Sequence, residues 1–212
     1  MGTRRQGRGV ETGMTHGLPT FISKEALAAL PMRRYEGEIV FVDDEPALAR
    51  ARDELPAERV LGFDTETRPA FRKGESYLPS LVQIAGAQRV YIFALRRRDT
   101  HDLLRGLLEA PAIVKTGVSV AYDLRTLAQV FAFEPGGIAD VGAIAKRHGL
   151  EQTGVRNLAG LLLGFRVAKG AKTTNWAAPR LTESQINYAA TDAWVCRELY
   201  LRCAALGWAR MP

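Results

Sequence analysis

Residues 81–86, LVQIAG, and 89–95, RVYIFAL, are two apolar runs separated only by Ala87 and Gln88. So short a connection admits a hairpin and little else, which makes the two runs antiparallel neighbours. Before them, EIVFVDD (38–44) and RVLGFDTE (59–66) read as strands, with EPALARARDEL (45–55) as a helix between them. After them, strand and helix alternate. HDLLRGLLEA (101–110) is helical, AIVKTG (112–117) is extended, and a further helix starts near Ser119. In that helix Leu124, Leu127, Ala128 and Phe131 recur at i, i+3, i+4 and i+7, the spacing of one buried face. GIAD (137–140) is a short extended piece, VGAIAKRHG (141–149) and VRNLAGLLLGF (155–165) are helical, and a last helix covers 182–205. A hairpin followed by helical crossovers predicts an α/β fold, a mixed sheet flanked by helices.

Four acids stand at informative places on this scaffold. Along RVLGFDTE the period of two puts Val60, Gly62, Asp64 and Glu66 on one face and Leu61, Phe63 and Thr65 on the other. Asp64 and Glu66 therefore project together, with Cα atoms roughly 6.5–7 Å apart. Taken alone, this is either a strand end surfacing into solvent or a pair of carboxylates converging on a cation. Asp123 opens the helix after the strand 112–117. It either complements the helix macrodipole or points at the edge of the sheet. In the last helix Thr182 and Gln185 make a capping box, and Tyr188 and Asp192, at i and i+4, share a face. On a helical wheel Asn187, Thr191, Glu198 and Arg202 form the expected wet face. Asp192 falls about 110° from it, among alanines, Val195 and Leu199, and Arg197 is similarly displaced. An acid off the wet face needs a partner, either an arginine or a metal. Four carboxylates in a chain of this kind can neutralise two divalent cations, the device used for displacement at phosphorus. Oxygen ligands without Cys or His favour Mg²⁺ or Mn²⁺ over zinc.

The length, 212 residues, suits one domain with a substantial core. No apolar run is long enough to span a bilayer. The opening MGTRRQGRGVETGMTHG is basic and Gly-rich and has no apolar h-region of a secretory signal. The expectation is a mobile basic tail over residues 1–20 and a single domain over 21–212, with Met14 as an alternative start. Cys196 and Cys203, seven apart on one helix, are separated by about 10.5 Å of rise, too far for a disulfide. That predicts buried thiols and a reducing, cytoplasmic setting. A net charge of +6 with pI near 9.6 favours a polyanionic partner.

Three ordered motifs carry a resemblance. FDTET (63–67), GVSVAYDLRTL (117–127) and YAATDAW (188–194) resemble the motifs of the DEDD 3′–5′ exonucleases, in the tyrosine (DEDDy) branch that includes ribonuclease D and the Werner-syndrome exonuclease domain. LVQIA and TTNW also fall where such proteins carry similar stretches, and the match covers about residues 38–205. The sister branch has a His at the position of Asn187, so the tyrosine branch is the one indicated. Gly117, Val118 and Ser119 replace a region that often carries an Asn. The helical nucleic-acid-binding domains that follow in ribonuclease D are not expected in a sequence ending at Pro212.

The resemblance implies a ribonuclease-H-like fold and stepwise hydrolysis of phosphodiester bonds from the 3′ end of DNA or RNA. It implies two Mg²⁺ or Mn²⁺ ions held by Asp64, Glu66, Asp123 and Asp192, with Asp64 bridging them and Tyr188 and Glu66 orienting the attacking water. It also places the backbone at Thr65 against the terminal nucleotide. Arg68, Arg72 and Lys73 after the first motif, and Lys169 and Lys172 before the last helix, are the expected phosphate contacts. Trp176 is a candidate base platform, more simply read as an anchor of its loop. The alternatives are an inactive nucleic-acid-binding module on the same fold and a phosphatase of small molecules.

Overall fold

A computed structural model describes residues 14–15, 17–70, 72, 74–170 and 174–212. The short strands β1 (Met14–Thr15) and β2 (Leu18–Pro19) pair with each other. Thr20 is buried and donates to Glu151 at 2.8 Å, so residues 18–20, expected in the tail, pack against the body. Helix α1 (Lys24–Ala29) is capped by the Ser23 hydroxyl, which accepts from Ala26 N. Then come β3 (Glu38–Val42), α2 (Glu45–Glu54), β4 (Val60–Thr67), β5 (Pro79–Ala85) and β6 (Arg89–Ala94). Next follow α3 (His101–Glu109), β7 (Val114–Gly117), α4 (Ala121–Leu127), β8 (Ile138–Asp140) and α5 (Val141–Arg147). The chain closes with α6 (Val155–Leu158), which widens into a π turn over Ala159–Leu163, and the long α7 (Glu183–Ala205). The single helix expected over 155–165 thus ends early, at Gly164 in the left-handed conformation.

The sheet runs β3-β6-β5-β4-β7-β8. Its two antiparallel contacts are the expected hairpin β5-β6 and the pairing of β5 with β4, and the crossovers make β3, β7 and β8 parallel to their neighbours. Alternation along β4 sorts the core into two layers. Leu61 and Phe63 pack with Val82, Ile84, Tyr91 and Phe93 against α2, α3 and α4. On the other face Val60 joins the core of α5, α6 and α7, while Leu81, Ala85 and Ile92 meet Ala189, Ala190 and Ala193 of α7. Small residues on α7 let it lie close to the sheet. The approach is tight at Gly62, where a Cβ would sit 2.0 Å from the Ala193 carbonyl oxygen.

Two α7 residues depart from the helical wheel. Thr191, expected on the wet face, is buried. The segment before β3 crosses the helix there, and Tyr35 N donates to Thr191 Oγ1 at 3.0 Å. The displaced Arg197 is a sheet contact: its Nε donates to the Val60 carbonyl at 3.2 Å. The capping box at Thr182 and Gln185 is present as expected. Lys115, buried in β7, spends its ammonium on the end of α3, donating to the carbonyls of Ala110 and Ile113 at 2.5 and 2.8 Å. Burial pulls its pKa down to about 8.

Candidate active site

The four acids of the three motifs converge where β4 leaves the core. Asp64 and Glu66 project from the α7 face of β4, as the period of two requires. Gly62, two residues earlier on that face, lets α7 approach, and the helix carries Asp192 one residue before the contact at Ala193. Asp123 arrives on α4, from the other side of the strand. The turn that delivers it passes through Ser119, the only non-glycine residue with positive φ (61°) among those described. Such a conformation is held by its surroundings at some cost.

Thr65 ties the halves together. Its hydroxyl donates to Asp123 Oδ1 at 2.6 Å and its backbone N–H to Asp64 Oδ1 at 2.9 Å. The expectation for Thr65 concerned only its backbone; the side-chain contact arises because Thr65 faces α4 while its neighbours face α7. Thr65→Val keeps the shape and removes the donor to a carboxylate, an interaction worth about 1.5–3 kcal/mol. It is expected to lower kcat about tenfold with the melting temperature little changed, and Thr65→Ser is expected to keep most of the rate. Equal kcat in all three proteins would show that Asp123 needs no such support.

The electrostatics are those of a site short of positive charge. Burial, then the charges of Asp192 and Asp123, push the Asp64 carboxyl well above the usual carboxylate range. Burial and then Asp64, Asp192 and Asp123 push Glu66 up to about 9. Burial raises Asp192 to about 6 against a lowering hydrogen bond from Tyr188. It raises Asp123 as well, against the bond from Thr65. None of the four takes part in an ion pair found among the described residues. As placed, no three Asp, Glu, His or Cys side chains among the described residues are closed around one point. Burial first, then the charge of Asp192 facing it and those of Glu66 and Asp64, raise the Tyr188 phenol above its ordinary value.

Sequence reasoning missed one neighbour. Gln83 pairs directly across from Asp64 in the β5 register, so its side chain shares the α7 face. It is fully buried, and neither its amide nitrogen nor its oxygen has a hydrogen-bond partner among the described residues. A polar residue in the otherwise apolar run LVQIAG was the available signal.

A cleft of 490 Å³ opens beside Tyr188 and Asp192 and is bounded by Lys169, Trp176, Arg33 and Arg34. A second hollow joins Glu66 and Tyr188 to Lys169 and Gly170. Lys169 lines both hollows. Trp176 is buried, with its ring centroid 6.0 Å from that of Tyr188, and anchors the loop while lining the cleft. Arg68 and Arg72 are exposed and line neither hollow; the Arg68 guanidinium lies over the Tyr77 ring at 4.7 Å. Lys73 and Lys172 lie outside the described residues.

A family model described as 3′–5′ exonuclease matches residues 39–203. The chain belongs to this 3′–5′ exonuclease family. Among curated relatives of this chain, ribonuclease D of Acidiphilium cryptum is 31% identical over 168 residues, covering 77% of this chain and 42% of that protein. DNA polymerase I of Aquifex aeolicus is 30% identical over 160 residues, covering 76% of this chain and 26% of that protein. The chain thus spans less than half the length of these relatives. Solved structures share the fold. The Aedes aegypti Nibbler EXO domain superposes with a TM-score of 0.73 at 19% identity, over 82% of this chain and 92% of that one. Escherichia coli RNase D gives 0.65 at 23% identity, over 82% and 47%. The mixed six-stranded sheet with flanking helices is the ribonuclease-H-like fold of these exonucleases.

Proposed function

We propose that this exonuclease shortens RNA or DNA stepwise from a free 3′ end, releasing nucleoside monophosphates with the help of two divalent cations. One observation carries the reading: burial raises all four acids from β4, α4 and α7, the neighbouring charges raise Asp64 and Glu66 further, and no lysine or arginine among the described residues is paired to them. Such a constellation is costly unless cations complete it. The donor set fits Mg²⁺ or Mn²⁺, being oxygen only. Asp64, Glu66, Asp123 and Asp192 would hold the ions. Bound there, two such ions supply Lewis-acid stabilisation of charge on the attacking and leaving oxygens. Tyr188 keeps its proton, because burial and neighbouring acids disfavour phenolate, so it orients the attacking water through a hydrogen bond and is not its base. Glu66, across the hollow from Tyr188, accepts from the same water. Lys169 faces the strand's phosphates, and Lys73 and Lys172 belong to the same basic loops. A structure of Trypanosoma brucei RNase D, with a TM-score of 0.67, is of a complex with RNA U12, which makes RNA the first polymer to try. Cys196 and Cys203 are both free and buried, in keeping with a cytoplasmic setting, and no described helix is long and apolar enough to cross a membrane.

The test is a gel assay with 5′-labelled single-stranded RNA, single-stranded DNA and duplex DNA with a recessed 3′ end. Single-nucleotide ladders that vanish with EDTA and return with Mg²⁺ or Mn²⁺ are the expected result. Binding without products would mean an inactive module. The pH dependence follows from linkage. The raised carboxyls bind more protons in the folded than in the unfolded chain between about pH 4 and 9, so the metal-free fold loses stability as pH rises through that window. Divalent cations bind the deprotonated carboxylates. The thermal shift caused by Mn²⁺ is therefore expected to be larger at pH 8.5 than at pH 6; a shift independent of pH would count against carboxylates as the ligands.

A further inference from the structure

The segment LPMRRYEG (30–37) has no place in the exonuclease motifs, yet it forms one wall of the active-site cleft. It is locked there at both ends. Arg33 N donates to the Arg166 carbonyl and Arg166 N to the Pro31 carbonyl, both at 2.9 Å. Two residues on, Tyr35 N donates to Thr191 Oγ1 at 3.0 Å, and Thr191 immediately precedes Asp192 on α7. The Tyr35 ring meets Trp194, whose own ring stacks on Phe165 at 5.6 Å. These contacts consume the backbone and the aromatic ring and leave two guanidinium groups over. Both Arg33 and Arg34 are exposed and line the same cleft as Tyr188 and Asp192. Neither enters an ion pair found among the described residues, whereas Arg50, Arg52, Arg89, Arg97 and Arg105 all do. Glu183 also borders the cleft without closing a salt bridge on them. Two adjacent arginines on a rigid strap facing a cleft are suited to a phosphate, since the guanidinium fork matches its oxygens.

We infer that Arg33 and Arg34 form a phosphate subsite for the substrate strand, holding a phosphodiester next to the one being cut. The inference rests on the exonuclease reading and adds a second wall to its site. Lys169 bounds the cleft from the loop before α7, and the arginine pair bounds it from the segment before β3. A strand gripped from both walls is oriented across Tyr188 and Asp192. The strap is tied to α7 next to Asp192, so the grip and the acid move together. Because the contact is to phosphate, it favours no base and holds for RNA and DNA alike.

The experiment compares the full-length parent, Arg33→Ala/Arg34→Ala, and a control pair, Arg59→Ala/Arg147→Ala. The control removes the same charge from exposed sites away from the cleft. Steady-state 3′ shortening of a single-stranded oligonucleotide is measured with Mn²⁺ over a range of salt concentrations. The cleft variant is expected to raise KM about tenfold or more with kcat within twofold of the parent. Its plot of log(kcat/KM) against log[salt] is expected to be shallower by about 0.7, the contribution of one single-strand phosphate. The control should leave both quantities near the parent's. Parent-like KM and salt slope in the cleft variant overturn the subsite while the exonuclease reading survives. A fall in kcat with unchanged KM would mean that the strap acts on Asp192 and not on the strand, and overturns it too. If the parent itself shortens no polymer, the exonuclease reading fails and the subsite falls with it.

Discussion

Asp64→Asn is expected to abolish 3′ shortening and, in the same protein without metal, to raise the melting temperature. The first effect follows from position. The Asp64 carboxyl is raised by burial and then by the charges of Asp192 on α7 and Asp123 on α4, so it faces the acids of both helices. An amide there keeps the shape and still accepts from Thr65 N, but it contributes no charge to hold a divalent cation. A fall in kcat of about 10³-fold or more, on the order of 4 kcal/mol, is the expected size. The second effect follows from the sign of the pKa shift. A carboxyl whose folded pKa lies above its unfolded value favours folding in its protonated form and opposes it once ionised. Removing the ionisable group relieves that opposition, and does so more at pH 8 than at pH 5. For a domain of this size each kcal/mol is worth about 2–4 °C. Added Mn²⁺ should then shift the parent's melting temperature upward and the variant's much less. Retained activity would sink the metal-site reading. Lost activity with a lowered metal-free melting temperature would mean that Asp64 is a structural residue.

Much of this was legible in the sequence because it depends on short periods. The hairpin at Ala87-Gln88, the side on which Asp64 and Glu66 project and the cap at Thr182 are all set within a few residues. The convergence of Asp123 and Asp192 was legible only through the order of motifs, since each acid alone had an ordinary explanation. What escaped was set by packing between distant segments. Thr191 looks solvent-facing on a wheel because the wheel does not know that Tyr35, 156 residues away, crosses it. Arg33 and Arg34 drew no assignment because nothing local places them at a cleft. Gln83 read as one polar residue in a strand; only the register with β4 sets it opposite Asp64.

Gly62→Ala is expected to cost both stability and activity, although it adds one methyl group to a strand and changes no functional side chain. The added Cβ would lie 2.0 Å from the carbonyl oxygen of Ala193, 3.0 Å from its carbonyl carbon and 3.0 Å from Arg197 Cβ. The nearest obstacle is backbone, in the interior of a capped helix of 23 residues, and has no rotamer by which to withdraw. Relief requires α7 to move as a body or β4 to bend, and overpacking of this kind costs about 1–3 kcal/mol or more. Asp192 precedes Ala193, so any retreat of the helix carries both Asp192 and Tyr188 away from Asp64 and Glu66. A misplacement of about 1 Å in such a constellation can cost on the order of 10²-fold in rate. The expected outcome is a melting temperature lowered by several degrees together with a kcat reduced about a hundredfold. Ala193→Gly in the same background should not restore either quantity, because the clash is with the carbonyl and not with the alanine side chain. Wild-type kcat in Gly62→Ala would mean that the approach of α7 to β4 does not set the geometry of the site.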